Sequence, residues 1–177
     1  METVIKIIYR AIYLILEIVR ILAVGIIINQ PFLGWLVIFI IDTNDYFFAL
    51  RTGITYAQYQ LIDKSIDILN RFYFVIPAYI FNWPHRHLFL FLFFYRLVGD
   101  FLFFKFKSEK YFFVFPNLIE FLLPAYIIFN KDILLALSIA LPLKLIHEYG
   151  LHVKNTIDPW SKSYIRKHPE HQRKLIS

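Results

Sequence analysis

The chain has 177 residues, 59% of them hydrophobic and 20% aromatic, with only 18% charged and a mean hydropathy of +0.56. A soluble domain lies nearer 45–50% apolar and about 25% charged, so the composition excludes an ordinary soluble domain and predicts an all-α integral membrane bundle, with length for at most about six or seven helical spans. No Cys is present, which excludes disulfides, Cys-ligated zinc and iron–sulfur clusters, and the net charge of +6 is no nucleic-acid signal, because no nucleic-acid-binding motif accompanies it.

The first apolar segment covers about 4–28 and ends at Asn29-Gln30-Pro31. Lys6, Arg10, Tyr13, Glu17 and Arg20 share one face at helical spacing. Residues 4–20 could therefore lie in the interface as an amphipathic helix. The remainder, 21–28, would then be too short to cross, which favours a tilted span with its polar stripe turned inward. Glu17 and Arg20 also interrupt the run in a way that a cleaved signal peptide does not.

Pro31 opens a second segment to about Arg51, a short turn follows at 52–55, and a third segment covers about 58–81. "NWPHRH" (82–87) reads as a loop whose Trp and His anchor an interface. A fourth segment spans 88–104 and a fifth 111–129. "NKD" (130–132) then precedes a sixth that ends near His152. This divides the chain into a six-span domain, 1–152, and a tail, 153–177. In that tail Lys154, Lys162, Arg166, Lys167, Arg173 and Lys174 outnumber Asp158 and Glu170. Arg51, Lys105, Lys107, Lys110 and the tail fall on one side, against Arg86 and Lys131 on the other, so the positive-inside rule predicts that both termini are cytoplasmic.

The unusual stretch runs from 39 to 69. Asp42 and Asp45 are three residues apart, Asp63 and Asp67 four apart, and each pair shares a helix face. The short turn makes the two helices antiparallel neighbours, so all four carboxylates can converge. Each Asp costs about 2.5–3.5 kcal/mol at a span centre, while each Ile, Leu or Phe returns only about 0.3–0.6 kcal/mol. Something must compensate. Arginine is one answer, since Arg71 lies four residues after Asp67 and Asp100 four after Arg96. Counting only Lys64 and Arg71 as close in sequence, the carboxylates outnumber the cations, and Mg²⁺ or Mn²⁺ answers the imbalance better. Such ions take carboxylate oxygens, keep positions for substrate phosphates, and in pairs clamp a phosphoryl transfer.

The pattern resembles the integral-membrane CDP-alcohol phosphotransferases, whose second and third of six spans carry D-x2-D-G-x2-A-R-x8-G-x3-D-x3-D. Asp42, Asp45, Asp63 and Asp67 match in register, and Ala49 falls on the family Ala. The chain departs from the motif at Tyr46 and Tyr59, which replace the two glycines, and at Leu50 in the Arg position, with Arg51 one place later. The resemblance implies transfer of a phosphate-linked group from a nucleotide-linked lipid or alcohol donor to a hydroxyl acceptor in membrane lipid synthesis. It implies one or two Mg²⁺ or Mn²⁺ ions on the four aspartates, with Asp67 as general base. Ala49 and Arg51 would lie near the nucleotide, and Lys105, Lys107 and Lys110 near the acceptor's phosphate. A homodimer is compatible with this arrangement. The alternative is a non-enzymatic membrane protein, either a degenerate relative or a transporter that uses the aspartates as an ion site. Intramembrane prenyltransferases also use paired aspartate motifs, but across longer chains with the motifs far apart.

Elsewhere, "LKLIHEYGLH" (143–152) is not H-E-x-x-H, because His147 and His152 are five apart and do not share a face. His147 and Glu148 read as interfacial residues ending the sixth span. Arg96 with Asp100, Asn117 with Glu120, and Lys144 read as polar contacts between helices.

Overall fold

The computed structural model describes residues 2–106, 108 and 110–149. Lys107, His152 and the basic tail 153–177 lie outside the described residues. Among the described residues every regular element is a helix.

Helix α1 (Glu2–Leu22) continues into α2 (Val24–Asn29) with scarcely a break at Ala23, whose N–H still reaches the Val19 carbonyl at 2.9 Å. Tyr13, Glu17, Arg20, Ala23 and Ile27 are all buried, at helical spacing along one stripe. The first segment is thus one apolar rod with a polar stripe turned inward, not a helix lying on the surface. Pro31 occupies the first turn of α3 (Pro31–Thr52), where its missing N–H costs nothing. Gly53, at φ 84, ends that helix in the left-handed conformation that a Cβ disfavours. Thr55 and Gln58 then form a reciprocal cap on α4 (Tyr56–Ile80).

Helix α5 (Arg86–Phe106) follows the predicted loop. The fifth segment is not the single helix expected over 111–129. It splits into α6 (Lys110–Val114) and α7 (Leu118–Ile128) around Phe115, Pro116 and Asn117. Pro116 lacks a backbone donor and restricts Phe115, so the ladder cannot run through. Gly99 lets α5 approach this break closely, since a Cβ there would stand 2.6 Å from Phe115 Cβ. Asp132 caps α8 (Ile133–Glu148) by accepting from the N–H groups of Leu134 and Leu135, both at 3.0 Å.

Val4–Asn29, Pro31–Thr52, Arg86–Phe106 and Lys110–Ile128 are long and apolar enough to cross a membrane, so the chain is an integral membrane protein. Helix α4 is long enough, at 25 residues, but carries Asp63, Lys64, Asp67 and Arg71. Helix α8 has 16 described residues, short of a full crossing.

The antiparallel helices sort their side chains by depth. Beyond Arg20 come Ala23 and Ile27; before Asp42 comes Ile38; beyond Arg71 come Phe74, Val75 and Ala78. Phe89, Leu92 and Phe93 precede Arg96, while Ala136 and Ala140 precede Lys144. All these apolar residues pack into one core toward the turns at 30, 81–85 and 129–132. The charged residues form a layer on the other side of it.

The close approach at Gly99 is testable. Gly99→Leu should force α5 away from the break and destabilise the protein by about 1–3 kcal/mol, the usual cost of overpacking. Thermal melting in detergent should show a clear fall against Ala substitution at the exposed neighbour Val98.

Candidate functional site

The four aspartates do converge, and they converge on Arg20. The guanidinium is 0% exposed. Its Nη1 donates to Asp45 Oδ2 at 2.6 Å, to Glu17 Oε2 at 3.2 Å and to Asp63 Oδ1 at 3.3 Å. Its Nη2 donates to Asp42 Oδ1 and Asp67 Oδ1, both at 2.7 Å. Lys64 completes the group, with Nζ 2.8 Å from Asp63 Oδ2 and 2.9 Å from Asp67 Oδ2. Five carboxylates thus face two cations, which leaves three negative charges without a matching cation in the cluster.

Sequence proximity misses Arg20, which lies on a different helix 22 residues before Asp42. The usable signal was its membership, with Tyr13 and Glu17, of the inward stripe. The expected pairing of Asp67 with Arg71 is also replaced. Arg71 forms its ion pair with Asp100, because Arg20 and Lys64 occupy both oxygens of Asp67.

Asp42, Asp63 and Asp67 each offer an oxygen, and these oxygens lie within 4.8 Å of one another, a spacing that fits one divalent ion. Asp45 differs from them. Its Oδ2 is held by Arg20 and its Oδ1 accepts from the Tyr59 hydroxyl at 3.0 Å. Tyr59 and Tyr46 stand with ring centroids 4.9 Å apart and pack with Tyr13 and Ala49 on the side of the aspartates away from the apolar core. Side chains therefore fill the place where the CDP-alcohol phosphotransferase motif has glycine.

The other expected binding residues lie apart from the cluster. Ala49 is fully buried. Arg51 donates to the Phe47 carbonyl at 2.6 Å and lies 3.5 Å over the Phe47 ring. Lys105 and Lys110 are exposed at the ends of α5 and α6.

A second ionic group lies on the far side of α4. Arg96 Nε is 3.5 Å from Asp100 Oδ1 and its Nη1 3.9 Å from Glu148. Lys144 Nζ is 2.6 Å from Glu120 and 3.1 Å from Glu148. Glu148 is 2% exposed, so it belongs to this buried network and not to the interface, as its position near a span end had suggested. Arg96 also donates to the Phe115 carbonyl at 2.6 Å, and the Tyr95 hydroxyl to the Val114 carbonyl at 2.6 Å. These two side chains satisfy carbonyls freed by the break between α6 and α7. The expected Asn117–Glu120 contact is present at 3.3 Å.

Between the two groups lies a cavity of about 90 Å³, reaching from Asp42 and Asp67 across Asn70 and Arg71 to Asn117 and Lys144. It is well below the roughly 300–1,000 Å³ of pockets that enclose a drug-sized ligand. The Asp42 side chain, 35% exposed, marks its rim. The chain matches no family model, no curated protein and no solved structure.

The role of Arg20 can be checked directly. Arg20→Gln keeps two hydrogen-bonding groups but strands buried carboxylates, and breaking a buried pair in this way costs about 3–5 kcal/mol. The variant should melt far lower than the parent, and millimolar Mg²⁺ should recover part of the loss by replacing the missing positive charge.

Proposed function

We propose that this chain is a metal-dependent membrane transferase, akin to the CDP-alcohol phosphotransferases. It moves a phosphate-linked group from a nucleotide-activated donor to a hydroxyl acceptor at the membrane. The observation that carries this reading is a surplus of carboxylate in one cluster, two of whose members, Asp42 and Asp67, line the cavity: Arg20 and Lys64 do not balance Glu17, Asp42, Asp45, Asp63 and Asp67. Buried charge persists only where it is compensated.

Asp42, Asp63 and Asp67 would hold Mg²⁺ or Mn²⁺, which when bound would neutralise charge on the donor's phosphate oxygens. Asp45 would join them only by giving up Tyr59 or Arg20, so its part is to position Arg20. Asp67 borders the cavity, and its Oδ2 takes the acceptor's proton once the hydroxyl replaces Lys64 there. The acceptor oxygen forms its bond to the donor phosphorus, the phosphorus–oxygen bond to the nucleotide breaks, and the nucleoside monophosphate departs. The cavity admits only the reacting part of such a donor, so the base would lie outside it, away from the Tyr46–Tyr59 pair.

In this reading all six segments cross. Helix α4 must join the inner end of α3 to the outer end of α5, and its polar face is covered by α1, α3 and α5. Arg51, Lys105 and Lys110 at one end, against Arg86 and Lys131 at the other, support an orientation with both termini in the cytoplasm. The partners are membrane lipid and the nucleotide-linked donor.

A second reading is favoured by Arg20 itself. A guanidinium bonded to all five carboxylates, beside two tyrosines in the glycine positions, also describes a relative that has lost catalysis and kept its fold. A transporter fits less well, because the polar layer ends at the apolar core and no buried polar path continues through it among the described residues.

Metal titration and turnover separate the two. Millimolar Mg²⁺ or Mn²⁺ should raise the melting temperature, as any ligand selective for the native state does; at a hundredfold excess over Kd the added stability is about 2.7 kcal/mol. Asp42→Asn combined with Asp63→Asn should abolish that response. With a CDP-linked donor, Asp67→Asn should lower turnover by about 10²–10⁴-fold, the usual worth of a positioned base. A stable and fully active Asp67→Asn protein would remove Asp67 from catalysis. No metal response and no turnover in the parent would leave the inert relative.

A further inference from the structure

The two ends of the cavity differ in charge. At the Asp42–Asp67 end carboxylates are in excess. At the other end Arg71, Arg96 and Lys144 are matched by Asp100, Glu120 and Glu148. Three cations against three carboxylates leave no surplus positive charge with which to hold an anion.

Between these ends stand polar groups that the fold leaves unsatisfied. Asn70 is 2% exposed and lines the cavity, yet neither its Oδ1 nor its Nδ2 has a hydrogen-bond partner. Arg71 Nη1, on a side chain equally buried, lacks a partner and lines the same space. So does Asn117 Oδ1, at the break between α6 and α7. Buried amides are nearly always bonded, and one bare at both ends calls for a ligand or water to complete it. The cavity lining therefore offers two acceptors, the Oδ1 atoms of Asn70 and Asn117, and beside the donors Asn70 Nδ2 and Arg71 Nη1 it has two more N–H groups without a hydrogen bond, Trp35 Nε1 and Arg96 Nε. Asn117 is oriented by its Nδ2, which donates to Glu120, and Asn70 offers one of each kind whichever way its amide turns.

That combination selects among ligand chemistries. The phosphate of a monoester is mostly dianionic at neutral pH and then only accepts, so it would satisfy N–H donors such as Nδ2 and Nη1 and press its oxygens against the two Oδ1 atoms. An ammonium only donates and would fail in the opposite sense, beside Arg71. A hydroxyl does both, and neighbouring hydroxyls on one molecule could meet both amides and Arg71 together. A cavity of about 90 Å³ holds several waters and suits a small molecule of this kind.

We infer that the Asn70–Arg71–Asn117 end of the cavity binds a small uncharged polyol, and that this polyol is the hydroxyl acceptor. The binding site stands on the unsatisfied groups alone; calling the ligand the acceptor rests on the transferase reading, with Asp67 bordering the same cavity. The exposed lysines at 105 and 110 then hold no acceptor phosphate.

The test is binding of tritiated glycerol to the purified protein in nanodiscs, without metal or donor. Saturable binding is expected, displaced by unlabelled glycerol and at least tenfold less readily by glycerol 3-phosphate. Asn70→Leu and Asn117→Ala should each weaken it tenfold or more; should Asn70→Leu fail to fold, Asn117→Ala decides. No saturable binding, a preference for glycerol 3-phosphate, or unchanged binding in a folded variant would overturn the inference. Because metal and donor are absent, such a failure leaves the transferase reading standing with a different acceptor. Binding without any metal-dependent turnover would keep the polyol site and sink the transferase.

Discussion

The bundle is organised around one guanidinium. Arg20 comes from α1, yet its two terminal nitrogens reach carboxylates on α1, α3 and α4, so a single side chain joins three helices at one depth. Few residues could do this. Lysine has three donors on one atom, whereas the planar fork of arginine spreads five donors and keeps its charge under all relevant conditions. Five carboxylates around a buried point would repel one another without it, and α3 and α4 could not close on each other. The same interaction fixes the rotation of α1, because Tyr13, Ala23 and Ile27 lie on the stripe that carries Arg20 into the interior.

Helix α4 divides the polar layer into two territories. Asp63 and Asp67 look toward Arg20, while Asn70 and Arg71, within one further turn, border the cavity and the second ionic group. One territory holds excess carboxylate and the other is balanced. A charge gradient therefore crosses the cavity over less than three turns of one helix. In an apolar surrounding such a gradient is not screened as it would be in water, so it orients any polar molecule that enters. The apolar core lies on one side of this layer and the tyrosine group on the other, and the partly exposed Asp42 and the exposed His147 both line the cavity.

How much of this was legible depended on whether the relevant spacing was local. The convergence of the aspartates followed from helical periodicity and a short turn, both properties of consecutive residues. The inward stripe of α1 was legible for the same reason, but its partner was not, since nothing in the spacing of Arg20 says which helix it will face. The break at Pro116 and Asn117 was missed, because the apolar residues on either side make the segment look continuous. Glu148 was misread because position near a span end usually means water, and here the chain turns it toward Lys144 and Arg96. Hydropathy undercounts α4 because the residues that give the bundle its chemistry are the ones that lower its apolar character.

The break between α6 and α7 shows why polar residues far from the aspartates cannot be regarded as mere glue. Inside a membrane an interrupted helix exposes backbone groups that lipid cannot satisfy, so it survives only where protein supplies the partners or where it lines a polar cavity. Both conditions hold here. Arg96 and Tyr95 take the carbonyls of Phe115 and Val114, and Asn117 lines the cavity. Arg96 needs a counter-charge to stay buried, which Asp100 and Glu148 provide, and Glu148 in turn is matched by Lys144. The second ionic group is thus the support for the break, much as Arg20 is the support for the aspartates. Each device brings polar groups to the edge of the same small space from opposite sides. A fold that only had to stay together in lipid could have replaced both with apolar contacts at no loss of stability, so their shared cavity is the better account of why both are there.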